Sequence, residues 1–251
     1  MEFVVGSFNI GQAGEFEDPL VAAPHNMVGR IQFEINDALQ MDINDTLPSL
    51  LAITEFRVRV HQILPDYLDY ETMRIPGNFQ NDIIAPYWRD PFYRGYQGIL
   101  PDIINNRVGR FMGIVLKYEL EQVEYSLLFL SVHIPRQHER KMEAFDALGE
   151  MVRQAFATYE VGDVIIAGDF NCRPTLLAEK LDQLQMNYAF PGQIELANNN
   201  DAIATTPALH RNSLDNLICI GNSFQFTGDF EVYDQTLFSH FPIFATLNLI
   251  N

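Results

Sequence analysis

Short, strongly apolar segments recur along the chain, and they constrain its fold more than any other feature of the sequence. Each segment is rich in branched or aromatic residues and is bounded by turn-forming residues, a pattern typical of strands in a sheet interior. The predicted strands are Glu2 to Ile10, Leu50 to Glu55, Phe111 to Lys117, Tyr125 to His133, Val164 to Ala167, Leu214 to Ile220 and Phe244 to Leu249.

Between these strands, two segments have the periodicity of amphipathic helices. Apolar residues recur at helical spacing from Met27 to Gln40 and from about Glu139 to Tyr159, and a weaker pattern covers Thr175 to Gln185. We therefore expect an α+β fold, an α/β sandwich in which two packed mixed β-sheets are flanked by helices. Two segments rich in Pro, Asn and Gly, Tyr67 to Asp102 and Pro191 to His210, are predicted as long loops that face a substrate.

The size of the chain fits one compact domain. Its 251 residues are many for a single domain, but layered β-rich folds reach this size, and a hydrophobic content of 47% can fill a large core. The sequence contains no repeat, low-complexity tract or flexible linker that would mark a boundary. A single domain over residues 1–251 is expected.

The charge of the chain limits its partners. Lys and Arg number 16 and Asp and Glu number 33, which gives a formal net charge of −17. A broad basic surface that grips duplex nucleic acid by its phosphates is therefore not expected. A phosphodiester substrate stays open, because a bound divalent cation would supply positive charge that the side-chain count omits.

The cysteines and the apolar stretches give no sign of a disulfide framework, a zinc site or a membrane span. Cys172 and Cys219 lie outside any metal-binding spacing, so a disulfide framework and a structural zinc site are not expected. No basic region precedes the short apolar N-terminal run, and no apolar stretch approaches membrane-spanning length. We expect a protein without stable membrane insertion, located inside the cell unless it is exported by a leaderless route; nothing indicates its oligomeric state.

The segment VIIAGDFNCRP carries the sharpest chemical signal. An apolar strand ends at Gly168 and delivers Asp169 and Asn171 into a tight polar loop. Residues two apart in an extended chain point the same way, so both side chains can reach one site. An aspartate that polarises water and an asparagine that stabilises negative charge suit phosphoryl chemistry, although Asp-x-Asn after a strand is commonly only a turn.

Five further motifs accompany this segment, each at a predicted strand end. The motifs in chain order are SFNI with Asn9, LLAITEF with Glu55, LLFLSVHIP with His133, GDFN with Asp169 and Asn171, SLDNLICI with Asp215, and SHFPIFATL with His240 and Pro242. In this order, from residue 7 to about 247, they resemble the endonuclease/exonuclease/phosphatase superfamily, whose fold is DNase I-like. Taken singly, Glu55 could pair with Arg57 or Arg59 and His240 could be structural; the ordered set favours catalysis.

The resemblance implies a divalent-metal-dependent phosphodiesterase. Glu55 would be the principal ligand of Mg²⁺ or Mn²⁺, and Asn9 would assist it. His240 would contact the scissile phosphate and would be held in one tautomer by Asp215.

The resemblance also assigns the water and the leaving group. Asp169 would orient or deprotonate the attacking water, and Asn171 would bind a phosphoryl oxygen. His133 resembles the second histidine of the deoxyribonuclease-like and sphingomyelinase-like branches, which can protonate the leaving group.

One departure from the family pattern concerns the last motif, which is normally Ser-Asp-His-x-Pro. Here Ser239 precedes His240 where the aspartate usually stands. Loss of that carboxylate should weaken metal affinity or change metal preference unless Asp234 or Ser239 compensates.

Nucleic acid is the expected substrate, because His133 resembles the deoxyribonuclease-like arrangement. The alternatives are a phospholipid or inositol phosphate hydrolase on the same scaffold and a degenerate member that only binds, which the change at Ser239 would explain. The sequence SLDNL around Asp215 lacks the Trp-x-Asp-Arg signature of inositol phosphatases, which makes that branch less favoured.

Two further groups of residues have more than one interpretation. An aromatic segment could meet a membrane, stack the bases of a single strand or pack in the core; it runs from Tyr87 to Gly98, with Trp88, Arg89, Phe92, Tyr93, Arg94 and Tyr96. A basic group beside His133 could receive a substrate phosphate or be solvated; it comprises Arg107, Arg110, Arg136, His138, Arg140 and Lys141.

Overall fold

A computed structural model describes residues 1–10, 29, 47–56, 58–73, 83–95, 110–190, 214–227, 231–232 and 240–250. Several predicted features lie outside these ranges: the loop Pro191 to His210, the residues Arg57, Tyr96, Arg107, Asp234 and Ser239, and, apart from the helical Gly29, the helix Met27 to Gln40.

Within the described residues, thirteen strands and three helices have defined bounds, and Gly29 is also helical. The strands are β1 (Glu2–Asn9), β2 (Leu50–Phe56), β3 (Glu71–Thr72), β4 (Ile83–Trp88), β5 (Tyr93–Arg94), β6 (Arg110–Leu120), β7 (Val123–His133), β8 (Asp163–Asp169), β9 (Tyr188–Ala189), β10 (Asp215–Gly221), β11 (Phe224–Phe226), β12 (Glu231–Val232) and β13 (Ile243–Leu249). The helices are α1 (Val58–Leu68), α2 (His138–Thr158) and α3 (Pro174–Gln183).

These strands form two mixed sheets. The first sheet has the order β11-β13-β1-β2-β4-β3, with β12 also paired to β13, and the second has the order β5-β6-β7-β8-β10-β9. The seven strands predicted from sequence are all present, with ends that differ by at most three residues. The expected α+β sandwich is thus confirmed.

Alternation along the strands divides the core into two layers. In β8, Ile165 and Ala167 belong to a cluster that joins both sheets, and Phe8 of β1 contributes from the first sheet. Val164 and Ile166 point the other way, into a cluster that α2 and α3 cover. Each fully buried aliphatic side chain contributes about 1.5–3 kcal/mol, so both layers hold the second sheet in place.

Strand direction brings the functional ends to one edge of the sandwich. β1 and β2 run parallel with Asn9 opposite Thr54, and β7 and β8 run parallel with His133 opposite Asp169. β10 is antiparallel to β8 and therefore begins at the same edge, with Asp215 opposite Asp169. β13 is likewise antiparallel to β1, so the chain enters it at this edge.

The prediction of a loop from Tyr67 to Asp102 is wrong. This range contains the end of α1 and the strands β3, β4 and β5, and β4 pairs with β2 along its length. Proline obscured both elements, since Pro65 lies inside α1 and Pro86 inside β4. Within the described residues, the pairing of β4 with its outer neighbour β3 covers Tyr87 and Trp88 and not Pro86, so the missing N–H of Pro86 is tolerated.

Two rings of the aromatic segment, Trp88 and Phe92, pack in the core. Trp88 is 1% exposed and Phe92 is 2% exposed, and the ring of Phe92 stands edge-on to Phe3 with centroids 4.8 Å apart. Neither ring can meet a membrane or a base. Tyr93 is 39% exposed, and its hydroxyl donates to Glu124.

No helix in the described part of the chain is long and apolar enough to cross a membrane.

Candidate active site

Asp169, the last residue of β8, lies at the centre of the site and is fully buried. Its Oδ1 accepts a hydrogen bond from the backbone N–H of Asn171 at 2.7 Å, and its Oδ2 accepts from Asn171 Nδ2 at 3.0 Å. Asn9 Nδ2, from the other sheet, also donates to Oδ2 at 3.0 Å. A carboxylate has about four acceptor positions, so these three bonds orient Asp169 and leave roughly one position for a water or a cation.

Gly168 makes this arrangement possible. Its φ is +147°, and a Cβ at this position would lie 2.0 Å from the carbonyl oxygen of Val132 on β7. Only glycine allows β7 and β8 to approach this closely, and that approach places Asp169 beside His133.

His240 and Asp215 form a buried pair. His240 Nδ1 lies 2.6 Å from Asp215 Oδ2 and donates to it. Burial alone lowers the pKa of His240, but the charge of Asp215, the hydrogen bond to it and the charges of Asp169 and Glu55 together raise the pKa to about 9. At neutral pH the ring is therefore a cation, and its Nε2–H is a charged donor for an anionic ligand.

Glu55 and His133 form the second acid–histidine contact. A β-bulge between Thr54 and Phe56 interrupts β2, and Glu55 has a φ of 58° there. A bulge re-aims the side chain at its centre, and Glu55 Oε1 lies 3.1 Å from His133 Nε2. The same ring nitrogen lies 3.9 Å from Asp169 Oδ2, so His133 stands between two carboxylates.

Negative charges crowd this edge of the sandwich. Burial raises the pKa of Asp169, Asp215 and Glu55 raise it further, and His240 and the Asn171 N–H partly oppose them, which leaves the pKa at about 8. A cation between these carboxylates would lower that pKa, because it favours the charged form of each acid.

The donor set fits a divalent cation. Ligand atoms of Asp169, Asp215 and His240 all lie within 4.8 Å of one another. The oxygens of the two carboxylates suit Mg²⁺ or Mn²⁺, whereas the charged His240 ring has no lone pair for a cation. The predicted pair Asn9 and Glu55 borders this cluster: the Asn9 amide nitrogen is bonded to Asp169, and the Glu55 carboxylate contacts His133.

The structure brings all seven predicted site residues to this one edge, but it gives Asn171 a different set of partners from the expected one. Its Nδ2 donates to Asp169 and, at 2.9 Å, to the backbone carbonyl of Ile134, so both amide hydrogens are engaged. Here Asn171 supports Asp169 and has no amide hydrogen left for a phosphoryl oxygen.

Two members of the basic group contact the loop of Asn171. Arg136 Nε donates to Asn171 Oδ1 at 3.2 Å, and Lys141 Nζ donates to the Asn171 carbonyl. Lys141 thereby holds a backbone turn in which Asn171 has a φ of 47°. The only sequence signal for these contacts is that both residues follow closely after His133.

Comparison with solved structures identifies the fold. The endonuclease/exonuclease/phosphatase from Bacteroides vulgatus superposes with a TM-score of 0.69 over 100% of both chains at 14% identity. The human Nocturnin catalytic domain with bound sulfate gives a TM-score of 0.70 at 16% identity, covering 99% of this chain and 95% of that one. D. rerio TDP2 complexed with single-strand DNA product gives 0.65 at 12% identity, covering 98% and 99%.

No protein-family model and no curated protein sequence matches the chain. The solved structures show that the chain has the DNase I-like fold that the sequence analysis predicted.

Proposed function

We propose that residues 1–251 form one catalytic domain, a divalent-metal-dependent phosphodiesterase that hydrolyses phosphodiester bonds in nucleic acid. The observation that carries this proposal is the buried ion pair of His240 with Asp215, placed so that ligand atoms of both residues lie within 4.8 Å of Asp169. A buried charged donor beside a buried carboxylate is the arrangement that binding a phosphate and activating a water both require.

In this proposal His240 binds the scissile phosphate. Asp215 accepts the hydrogen bond from Nδ1 of His240, so the Nε2–H is the donor that remains for a phosphoryl oxygen. A charged hydrogen bond to that oxygen grows stronger as negative charge develops in the transition state.

Asp169 orients the attacking water and accepts its proton. Its three hydrogen bonds fix the carboxylate plane, so the remaining acceptor position has one direction. Asn171 and Asn9 act by holding this carboxylate. His133, whose Nε2 is in contact with Glu55, delivers a proton to the leaving oxygen.

Glu55, assisted by Asn9, and the carboxylates of Asp169 and Asp215 are the residues that would hold Mg²⁺ or Mn²⁺. Bound there, the ion would supply Lewis-acid stabilisation of charge on the phosphate and would keep Asp169 ionised.

Nucleic acid is the favoured substrate class for two reasons. A solved structure of the same fold, D. rerio TDP2, is complexed with single-strand DNA product. Trp88 and Phe92, two rings through which a lipid hydrolase could bind a membrane if they were exposed, are buried in the core.

The decisive experiment is hydrolysis of a substrate panel with Mg²⁺, with Mn²⁺ and with chelator. The panel contains plasmid DNA, single-stranded DNA and RNA, sphingomyelin and phosphoinositides. We expect turnover of a nucleic acid that is lost with chelator and in His240→Ala and Asp169→Asn.

The matched control is Asp163→Asn, because Asp163 is the buried first residue of β8, about 20 Å from Asp169 at the opposite end of the same strand. Its carboxylate accepts from the Ser223 N–H in a turn, so the control should keep its activity. If the protein hydrolyses only a lipid, the substrate class in this proposal changes from nucleic acid to phospholipid. A folded protein without any turnover would indicate a binding protein.

A further inference from the structure

Arg136 is a cation fixed beside the site without an acidic partner. It lies in the loop between β7 and α2, three residues after His133, and its side chain is exposed. Its Nε donates to Asn171 Oδ1 at 3.2 Å, and no carboxylate within the described residues forms an ion pair with it. In a chain of net charge −17, this arginine supplies a local positive charge that no acidic side chain neutralises within the described residues.

One hydrogen bond fixes this guanidinium and leaves its other donors available. Arginine has five N–H donors in a planar fork, and the contact with Asn171 uses the one on Nε. The four on the two Nη atoms have no partner in the described part of the chain, and the edge formed by Nη1 and Nη2 is not the edge that carries Nε–H. Anchoring by Nε reduces the side-chain entropy that a ligand would otherwise have to remove, so the free edge suits bidentate binding of a phosphate.

The position of Arg136 separates its ligand from the phosphate that is cleaved. Asn171 Nδ2 lies 3.0 Å from Asp169 Oδ2, so two hydrogen bonds and the width of one amide stand between the guanidinium and the Asp169 carboxylate. Because the guanidinium bonds the Asn171 amide oxygen and Asp169 bonds the amide nitrogen, the Nη edge lies on the other side of Asn171 from the position where Asp169 would activate the water. An anion held by the Nη edge is therefore a second group.

We propose that Arg136 binds a phosphate adjacent to the scissile one, so that the preferred substrate carries at least two phosphate groups in succession, as a nucleic-acid strand does. This inference rests on the proposed function and adds to it a specificity-determining residue. Arg136 discriminates a strand from a diester with a single phosphate, and it takes no part in the chemical step.

The test compares two substrates, a short single-stranded oligonucleotide and bis(p-nitrophenyl) phosphate, which has one phosphate. For Arg136→Gln we expect KM for the oligonucleotide to rise about 10- to 100-fold, the effect of losing one charge-assisted bidentate contact, with kcat nearly unchanged. Kinetics on the single-phosphate diester should be unchanged. For Arg136→Lys we expect an intermediate KM for the oligonucleotide, because a lysine ammonium keeps the charge but cannot donate to Asn171 and bind a phosphate in a bidentate manner at the same time.

The control is Arg153→Gln, which removes the same charge from an exposed position roughly 20 Å along α2, where Arg153 pairs with Glu150. It should leave both substrates unaffected. A second readout is salt: the slope of log KM against log salt concentration for the oligonucleotide should fall by about 0.7 in Arg136→Gln.

Two results would overturn the inference. One is an equal loss of kcat on both substrates, which would mean that Arg136 acts by holding Asn171. The other is an unchanged KM and salt slope for the oligonucleotide.

The inference can also be tested if the parent protein hydrolyses neither substrate. In that case the proposed function fails, and anisotropy of a labelled oligonucleotide in chelator still compares binding by the parent and by Arg136→Gln. Equal binding would reject Arg136 as a phosphate-binding residue, whereas weaker binding by the variant would retain it.

Discussion

Replacing Asp215 by asparagine removes a negative charge from the buried pair with His240 while keeping the shape of the side chain. The pKa of His240 is about 9 in the parent and ordinarily 6.5, and this difference of about 2.5 corresponds to roughly 3 kcal/mol in favour of the charged ring. Burial opposes the charge, and Asp215 makes the largest contribution in its favour. In Asp215→Asn we therefore expect the pKa of His240 to fall to 6.5 or below.

The same change alters how stability depends on pH. In the parent, the raised pKa of His240 contributes stability that is fully present below pH 6.5 and is lost as pH rises through 9. Asp169, with a pKa of about 8 against 3.8 when unfolded, acts in the same direction, because the folded state keeps a proton that the unfolded state has released. The contribution of Asp169 is lost between about pH 4 and 8 and that of His240 between about pH 6.5 and 9. Between pH 6.5 and 9 the parent should therefore lose both, whereas Asp215→Asn should lose less, because the contribution of His240 is absent.

Two measurements in chelator test this reasoning. Urea unfolding at pH 6.5 and pH 9 gives the change in stability, and NMR titration of labelled histidine gives the pKa of His240. Asp163→Asn serves as the control, and the pKa of His240 should be unchanged in it. If His240 in Asp215→Asn still titrates near 9, or if stability falls between the two pH values as steeply as in the parent, the charge of Asp215 does not hold the ring in its cationic form.

Three further predictions concern the same edge of the sandwich. Mg²⁺ or Mn²⁺ should raise the Tm of the parent and of Asp163→Asn but not of Asp169→Asn, because only the last lacks a ligand of the cation; an equal rise in all three would place the ion elsewhere. Gly168→Ala should lower the free energy of unfolding by several kcal/mol, because its Cβ would collide with the Val132 carbonyl; a denaturation midpoint like that of the parent would contradict the close approach of β7 and β8. His133→Gln should lower kcat by about 10²- to 10⁴-fold on a substrate with a poor leaving group and much less on a nitrophenyl ester, and an equal loss on both would exclude its role as the acid.

Much of the site could be predicted because its residues occupy strand ends. Asn9 ends a parallel strand, Asp169 ends the strand beside that of His133, and Asp215 begins an antiparallel one. Strand periodicity is a local property that one sequence displays, so the strand ends could be predicted from pattern. That these ends form one site was implied by the order of the motifs and their resemblance to a known family, because strand direction and pairing are not encoded locally.

Other features depend on contacts that no local pattern encodes. The bulge at Glu55 arises from the pairing of β2 with β4, and β4 itself was hidden by Pro86. The hydrogen bonds of the Asn171 side chain depend on how the loop after β7 packs against the loop after β8. That packing engages both amide hydrogens and places Arg136 at the amide oxygen. Such loop-to-loop contacts require the folded chain.

The left-handed backbone of Glu55 has a consequence for how this chain would respond to selection for stability. A non-glycine residue with a φ of 58° is strained by about 1–2 kcal/mol, and glycine at this position would relieve that strain. Glycine would also remove a carboxylate from a crowd of like charges around Asp169. A screen that rewards heat resistance alone should therefore enrich Glu55→Gly, whereas a screen for hydrolysis should reject it. Opposite enrichment in the two screens would show that this acid is kept for chemistry at the expense of the fold.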